Sequence, residues 1–171
     1  MIKSSFEEVK VFEEKNEVLG YNAKKFGDDS MITPSIRQVV AIKEELGIMQ
    51  ETWEHIQLCL NKFDGYMTSK WLETKPYDMD EEVKKLQKKM KEIKVDKKCN
   101  AYNGIMDVIK KWLIFLPLIA ELRDDAMRER HWTKLKETIK QDFNVDERLT
   151  LKDVFDLNLG KFAEEVAEIT D

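Results

Sequence analysis

The stretch VVAIKEELGIMQETWEHIQLCLNKF, residues 39–63, decides the fold. Val39, Ile42, Leu46, Met49, Trp53, Ile56, Leu60 and Phe63 recur at alternating three- and four-residue steps. That is the period of one face of an α-helix and not of a strand. Thr33 precedes Pro34, and proline at the first helical position sacrifices no hydrogen bond, so the helix is expected to start there. About 30 residues at about 1.5 Å each give an element about 45 Å long. A stripe this narrow needs a second helix packed at a shallow angle.

Working outward, Gly65 and the stretch DGYMTSKW end that helix. A second long helix is expected from about Asp78 or Asp80, with Glu81 and Glu82 in its first turn, where the macrodipole favours acids. Val83, Leu86, Met90 and Ile93 keep the heptad step. Tyr102, Ile105, Ile109 and Trp112 resume it after a polar interval at 97–100. The two stripes predict an antiparallel hairpin with Leu46, Trp53, Ile56, Leu60, Leu86 and Met90 in its seam. Pro117 is expected to end or kink the second helix at the preceding residue.

At the N-terminal end, Ser4 and Glu7 form a capping box for a short helix holding Phe6, Val9 and Phe12, and residues 20–30 read as a loop. Near the C-terminal end, Thr150 and Asp153 cap a short helix through Val154, Phe155 and Leu157. Asn158 and Gly160 then turn the chain into a final helix with Phe162, Val166 and Ile169 on one face. That stripe is cut off mid-helix, which suggests a piece of a longer polypeptide with the face's partner missing. The expected fold is therefore all-α, an elongated helical bundle with long antiparallel helix pairs. Its expected parts are an N-terminal helix and loop (1–30), a long hairpin (31–115) and a helical corner (116–171).

Composition agrees. Charged residues make up 37% of the 171, hydrophobic ones 42%, and there are only six Gly and three Pro. Long helices with solvated outer faces fit that balance better than a sandwich does. The net charge of -5 argues against nucleic acid as a partner. The longest apolar run, WLIFLPLIA, falls well short of the ~20 residues a membrane span needs, so no membrane role is expected. An acidic N-terminus without an apolar core is unlike a signal or transit peptide. Two cysteines fit a reducing, cytoplasmic setting without disulfides.

Candidate chemistry is sparse. His55 and Cys59 stand one helical turn apart, with Cys99 and His131 as distant completions, but no paired Cys-x-x-Cys or His-Glu-x-x-His spacing accompanies them. Small buried side chains explain them as well as a metal does, and no metal site is expected. The six glycines form no phosphate cradle, and Gly160-Lys161 lacks the upstream glycine it would need, so no nucleotide cofactor is expected in this segment. No serine sits in a nucleophile elbow. Lys84 to Lys98 contains eight lysines, which could touch a polyanion or an acidic microtubule surface. Interleaved Glu81, Glu82, Glu92 and Asp96 make a solvated outer face the plainer reading. No catalytic role is expected.

The remaining motif is LPLIAELRDDAMRERHWTKL, residues 116–135. Trp132 combines a large apolar surface with one N–H donor, suited to a bundle corner. Arg130 has five fixed donors that could satisfy carbonyls freed by Pro117, and His131 could do similar work. With Pro117, Leu122, Met127, Arg130, His131 and Trp132 in place, the stretch resembles the linker of dynein heavy chains, in a form closer to the axonemal type. LTLKDVFDLNLGKF, residues 149–162 and including Leu151, is similar to the segment that follows in that family.

The resemblance implies a mechanical lever near the tail end of the linker, bending over a ring of AAA+ modules in an ATP-driven microtubule motor. It implies that ATP and Mg are bound by the parent's ring and not here. The implied partners are that ring, the microtubule through the parent motor, and dynein intermediate or light chains near the tail. The implied location is the cytoskeleton, in a ciliary or flagellar axoneme. The alternative from the residues alone is a non-catalytic helical scaffold or cytoskeletal adaptor acting through heptad helices and the Lys-rich face.

Overall fold

Few glycines and prolines leave helices little reason to stop. The computed structural model describes residues 2–27, 30, 32–125 and 127–170. Among these residues the α-helices are α1 (Ile2–Lys25), α2 (Thr33–Met67), α3 (Pro76–Glu92), α4 (Asn100–Leu122), α5 (Glu129–Ile139), α6 (Leu151–Asp156) and α7 (Ala163–Thr170). Short 3-10 turns occupy Trp71–Glu73 and Leu159–Phe162. Among the described residues, strand-like pairing is limited to a single antiparallel bridge, Lys70 with Thr150. The fold is all-α, as the periodicity requires. The chain divides into two units, Met1–His55 with Ile93–Val95, and Ile56–Glu92 with Asp96–Asp171.

In the first unit, α1 runs well past the expected short helix. Its Glu- and Lys-rich sequence absorbs Gly20 at a cost of about 1 kcal/mol, so much of the expected loop is helical. The helix stops at Gly27, whose φ of 75° only glycine adopts without strain. Positions 28 and 29 of that expected loop lie outside the described residues. α2 starts at Thr33, as Pro34 predicts. The Lys43 ammonium meets Glu13 at 2.7 Å, and the Ser35 hydroxyl donates to Asn16 Oδ1 at 3.1 Å, tying α2 to α1. Thr52 and His55 are buried here, whereas Leu46 is half-buried and Met49 and Trp53 are exposed. Trp53 therefore leaves the expected seam.

The second unit holds the larger core. α3 and α4 pack on each other more extensively than any other helix pair. The expected second long helix is thus two helices. Asp96 makes the break: its carboxylate accepts the Lys98 N–H at 2.9 Å, and its carbonyl accepts the Cys99 N–H at 2.9 Å. Such local side-chain bonds compete with helix. The last turns of α2 join this pair. Ile56, Cys59 and Phe63 are buried while Leu60 is exposed, because Phe63 stacks on Trp112 of α4 at 5.2 Å and 14°. On α3, Val83 and Met90 are buried and Leu86 is half-buried.

Pro117 does not end α4, which continues to Leu122. A proline inside a helix costs about 3 kcal/mol. Leu116, Leu118, Ile119 and Leu122, all buried, stabilise by about 1.5–3 kcal/mol each, so burial outweighs the lost hydrogen bond. Pro117 itself is on the exposed side. The last face is also covered: α7 packs against α4 and α5, burying Val166 and Ile169. The partner expected to be missing is inside this unit.

Trp112 is 1% exposed and Trp53 is 53% exposed. Trp112→Ala should destabilise the chain by about 3–5 kcal/mol, and Trp53→Ala by no more than about 0.5 kcal/mol. Urea unfolding of the two variants checks the assignment, and equal losses would contradict it.

Candidate functional site

The 116–135 motif folds into the last turns of α4, a connector and α5. Arg123 caps α4, its N–H donating to the carbonyls of Ile119 (3.0 Å) and Ala120 (3.3 Å). Its guanidinium donates to the carbonyl of Trp71 and lies over the Trp71 ring, 5.9 Å from the centroid. Trp71 is 2% exposed. Its N–H donates to the Leu149 carbonyl at 2.8 Å, and the Leu151 N–H donates to the Ser69 carbonyl at 2.9 Å. Trp132 stands edge-on to Trp71 (6.0 Å, 82°) and to Phe143 (6.1 Å, 85°). Arg123 and Trp132 thus meet the Trp71 indole, while residues 149–151 pair with the backbone on either side of it. The arrangement is a brace, and its chemistry is directional hydrogen bonding and ring packing.

The motif residues occupy different depths. Leu122 and Leu151 are buried, Met127, His131 and Trp132 are half-buried, and Arg130 and Pro117 are exposed. Arg130 does not reach the freed carbonyls; its Nε donates to His131 Nε2 at 2.9 Å. The carbonyl-binding arginine is Arg123. The Arg128 N–H donates to His131 Nδ1 at 3.1 Å, capping the start of α5. A neutral imidazole has one acceptor nitrogen, so these two contacts exclude one another. Ala126 lies outside the described residues.

Sequence reasoning missed Trp71 and Arg123. Trp71 follows the end of α2 in a 3-10 turn, where no periodicity marks it. Arg123 follows the apolar run directly, and its position one residue past Leu122 was the available signal.

The second bracing point is Glu82 of α3. The Tyr66 hydroxyl donates to it at 2.5 Å and the Lys62 ammonium at 2.9 Å. Those two bonds hold the Glu82 carboxyl below the usual carboxylate range. Burial, followed by the Glu82 carboxylate, raises the Tyr66 phenol above its ordinary value. At the start of α6, the expected capping box is present: Asp153 accepts from the Thr150 hydroxyl (2.6 Å) and N–H (2.8 Å), and the Asp153 N–H donates to Thr150 Oγ1 (3.3 Å). The hydroxyl and backbone bonds lower the Asp153 carboxyl.

His55 and Cys59 are both buried on α2, Cys99 is half-buried ahead of α4, and His131 is on α5. Burial pushes the Cys59 thiol up to about 11, away from the thiolate a metal or nucleophilic role uses. Among the described residues, no group of three or more His, Cys, Asp or Glu side chains is placed to hold a metal ion. No helix among them is long and apolar enough to cross a membrane.

The sequence is similar to known proteins. Residues 39–171 match the family model described as dynein heavy chain, N-terminal region 2. The chain is 35% identical over 142 residues to the dynein alpha chain of the flagellar outer arm of Chlamydomonas reinhardtii, covering 82% of this chain. It is 32% identical over 139 residues to the ciliary dynein beta chain of Tripneustes gratilla, and 31% identical over 139 residues to dynein axonemal heavy chain 17 of Mus musculus, each match covering 81% of this chain. It spans about 3% of the length of these relatives.

Arg123→Ala should cost about 1.5–3 kcal/mol, because a charged donor to a buried residue's carbonyl is lost. Arg130→Ala should stay within about 0.5 kcal/mol. Thermal melts of both variants read the difference, and a larger loss at Arg130 would refute the brace. Thr150→Ala should cost about 1 kcal/mol near neutrality. Asp153 has a lowered pKa when folded, so its contribution is present above the unfolded carboxylate value and fades as pH falls through the folded one. The gap between Thr150→Ala and the parent should therefore shrink with acid in melts from pH 7 to pH 3; a constant gap would contradict the box.

Proposed function

The chain belongs to the dynein heavy chain family, and from that premise we propose that it is part of the linker, the lever of an ATP-driven microtubule motor. The observation that carries this reading is the brace at Trp71. A lever transmits force only if the angles between its helices are held, and Arg123, the Lys70–Thr150 bridge and the crossed rings of Trp71 and Trp132 hold several helices at one point. Hydrogen bonds and ring edges are directional, so they resist rotation where apolar contact alone would allow it.

In this reading the chain contributes no catalytic step. ATP and Mg are bound by the AAA+ ring of the same heavy chain, and the microtubule is contacted by the parent motor. Intermediate or light chains dock toward the tail. The relatives' names, flagellar outer arm and ciliary beta chain among them, support an axonemal location in a cilium or flagellum.

The test belongs in a full heavy chain. Trp112→Ala, which removes the centre of the second unit's core, should lower microtubule gliding velocity several-fold while the ring's ATPase persists. Wild-type velocity would sink the lever reading, as would ATPase and velocity falling in equal proportion.

A further inference from the structure

The Lys-rich stretch is not absorbed by a lever. We propose that the C-terminal half of α3 and the turn that follows it are a docking surface for an acidic polypeptide segment. Lys88, Lys89, Lys91, Lys97 and Lys98 are all exposed. In the first half of α3 the charges are matched: Lys84 meets Asp80 at 2.6 Å, Lys85 meets Glu81 at 3.8 Å, and Glu82 takes Lys62 at 2.9 Å. Beyond Lys85 the matching stops. Lys91 donates to the neutral Gln87 at 3.1 Å, and among the described residues Lys88, Lys89, Lys97 and Lys98 have no acidic partner. Asp96 is occupied by the Lys98 N–H, leaving Glu92 as the free carboxylate of this surface. Within the second unit, five lysines against two carboxylates make a basic patch on a chain whose net charge is -5.

The arrangement costs stability. Lys84 and Lys88, and Lys85 and Lys89, are four apart on the helix, and Lys88 and Lys91 three apart, spacings at which like charges repel. The helix dipole compensates cations in the last turn, which accounts for Lys89 and Lys91. It does not account for Lys97 and Lys98, which lie beyond the helix. An acidic occupant relieves all of these repulsions together.

The chemistry favours polypeptide over nucleic acid or membrane. All five cations are lysines, without the arginine fork that grips phosphate in two places and without aromatic rings on which bases stack. Glu92 repels a phosphate backbone but can pair with a basic residue of a mixed-charge polypeptide. Of the two large apolar residues in this half of α3, Met90 is buried and Leu86 is half-buried, so little apolar surface is available to anchor in lipid.

Fluorescence anisotropy of the full 171-residue chain tests the proposal. The probe is a labelled oligo-glutamate of about 16 residues, compared with an oligo-dT of similar charge and with vesicles of phosphatidylcholine and phosphatidylserine. Saturable oligo-glutamate binding is expected, weakened about fourfold or more in a Lys88→Ala, Lys89→Ala, Lys97→Ala, Lys98→Ala variant, since four exposed ion pairs are lost together. A control with Lys3, Lys10 and Lys15 of α1 changed to Ala should bind as the parent does. Alanine favours helix, so unchanged circular dichroism separates lost binding from lost fold. Should the four-fold variant unfold, charge reversal at Lys97 and Lys98 alone, outside any helix, gives the same readout with a smaller expected loss. Absent binding, binding indifferent to these lysines, or equal or tighter binding of oligo-dT or vesicles would overturn the proposal.

Discussion

Trp112 meets Phe63 face to face at 5.2 Å, Tyr66 edge-on at 5.6 Å, Phe115 edge-on at 5.8 Å and Phe155 at 5.5 Å. That places side chains of α2, α4 and α6 around one buried indole. Each such ring pair contributes about 0.5–1.5 kcal/mol beyond the area it buries. The second unit depends on this contact for more than energy. Once Phe63 is set against Trp112, the helical period assigns Cys59 and Ile56 to the inside and Leu60 to the outside. Tyr66, one turn on, is brought within reach of Glu82.

The heptad stripe was legible, and so was the helix it announced, from Thr33 onward. Its facing was not. Trp53 and Leu60 satisfy the apolar step as well as Ile56 and Phe63 do, and nothing in residues 39–63 says which edge of the stripe the partner will cover. The partner decides that, and it lies some fifty residues away at Trp112. The same limit explains Pro117. The rule that proline ends helices is local, while the burial of Leu116, Leu118, Ile119 and Leu122 is tertiary and larger. The Thr150–Asp153 cap stands as its spacing implies, whereas the expected Ser4–Glu7 box does not, because α1 already begins at Ile2 and places Ser4 inside the helix.

The candidate site shows the same division. The motif at 116–135 folds into the end of α4, a connector and α5, and the arginine that binds a carbonyl there is Arg123, not Arg130. Arg130 and Arg123 are equivalent as residue types. Arg123 is the one that emerges where α4 ends beside Trp71, and Trp71 has no periodic signature to announce it. Trp132 is half-buried, held by its edge relations to Trp71 and Phe143 and not by full enclosure.

That half-burial fits the role proposed for the corner. Full burial supplies the most free energy, but apolar contact is nearly indifferent to direction. A residue that must hold an angle does better with a few directional contacts: a guanidinium on a carbonyl, an indole edge against a ring face, a backbone bridge two bonds wide. In the second unit these two tasks fall to different residues. Trp112, Leu116, Ile119 and Val166 keep the helices together, while Trp71, Arg123, Trp132 and the Lys70–Thr150 bridge set how they are turned. The motif that carries the family resemblance contributes to both groups, Leu116 and Ile119 to the first and Arg123 and Trp132 to the second. In the proposed lever, core strength resists melting under load, and the brace resists the rotation that would dissipate a stroke before it arrived.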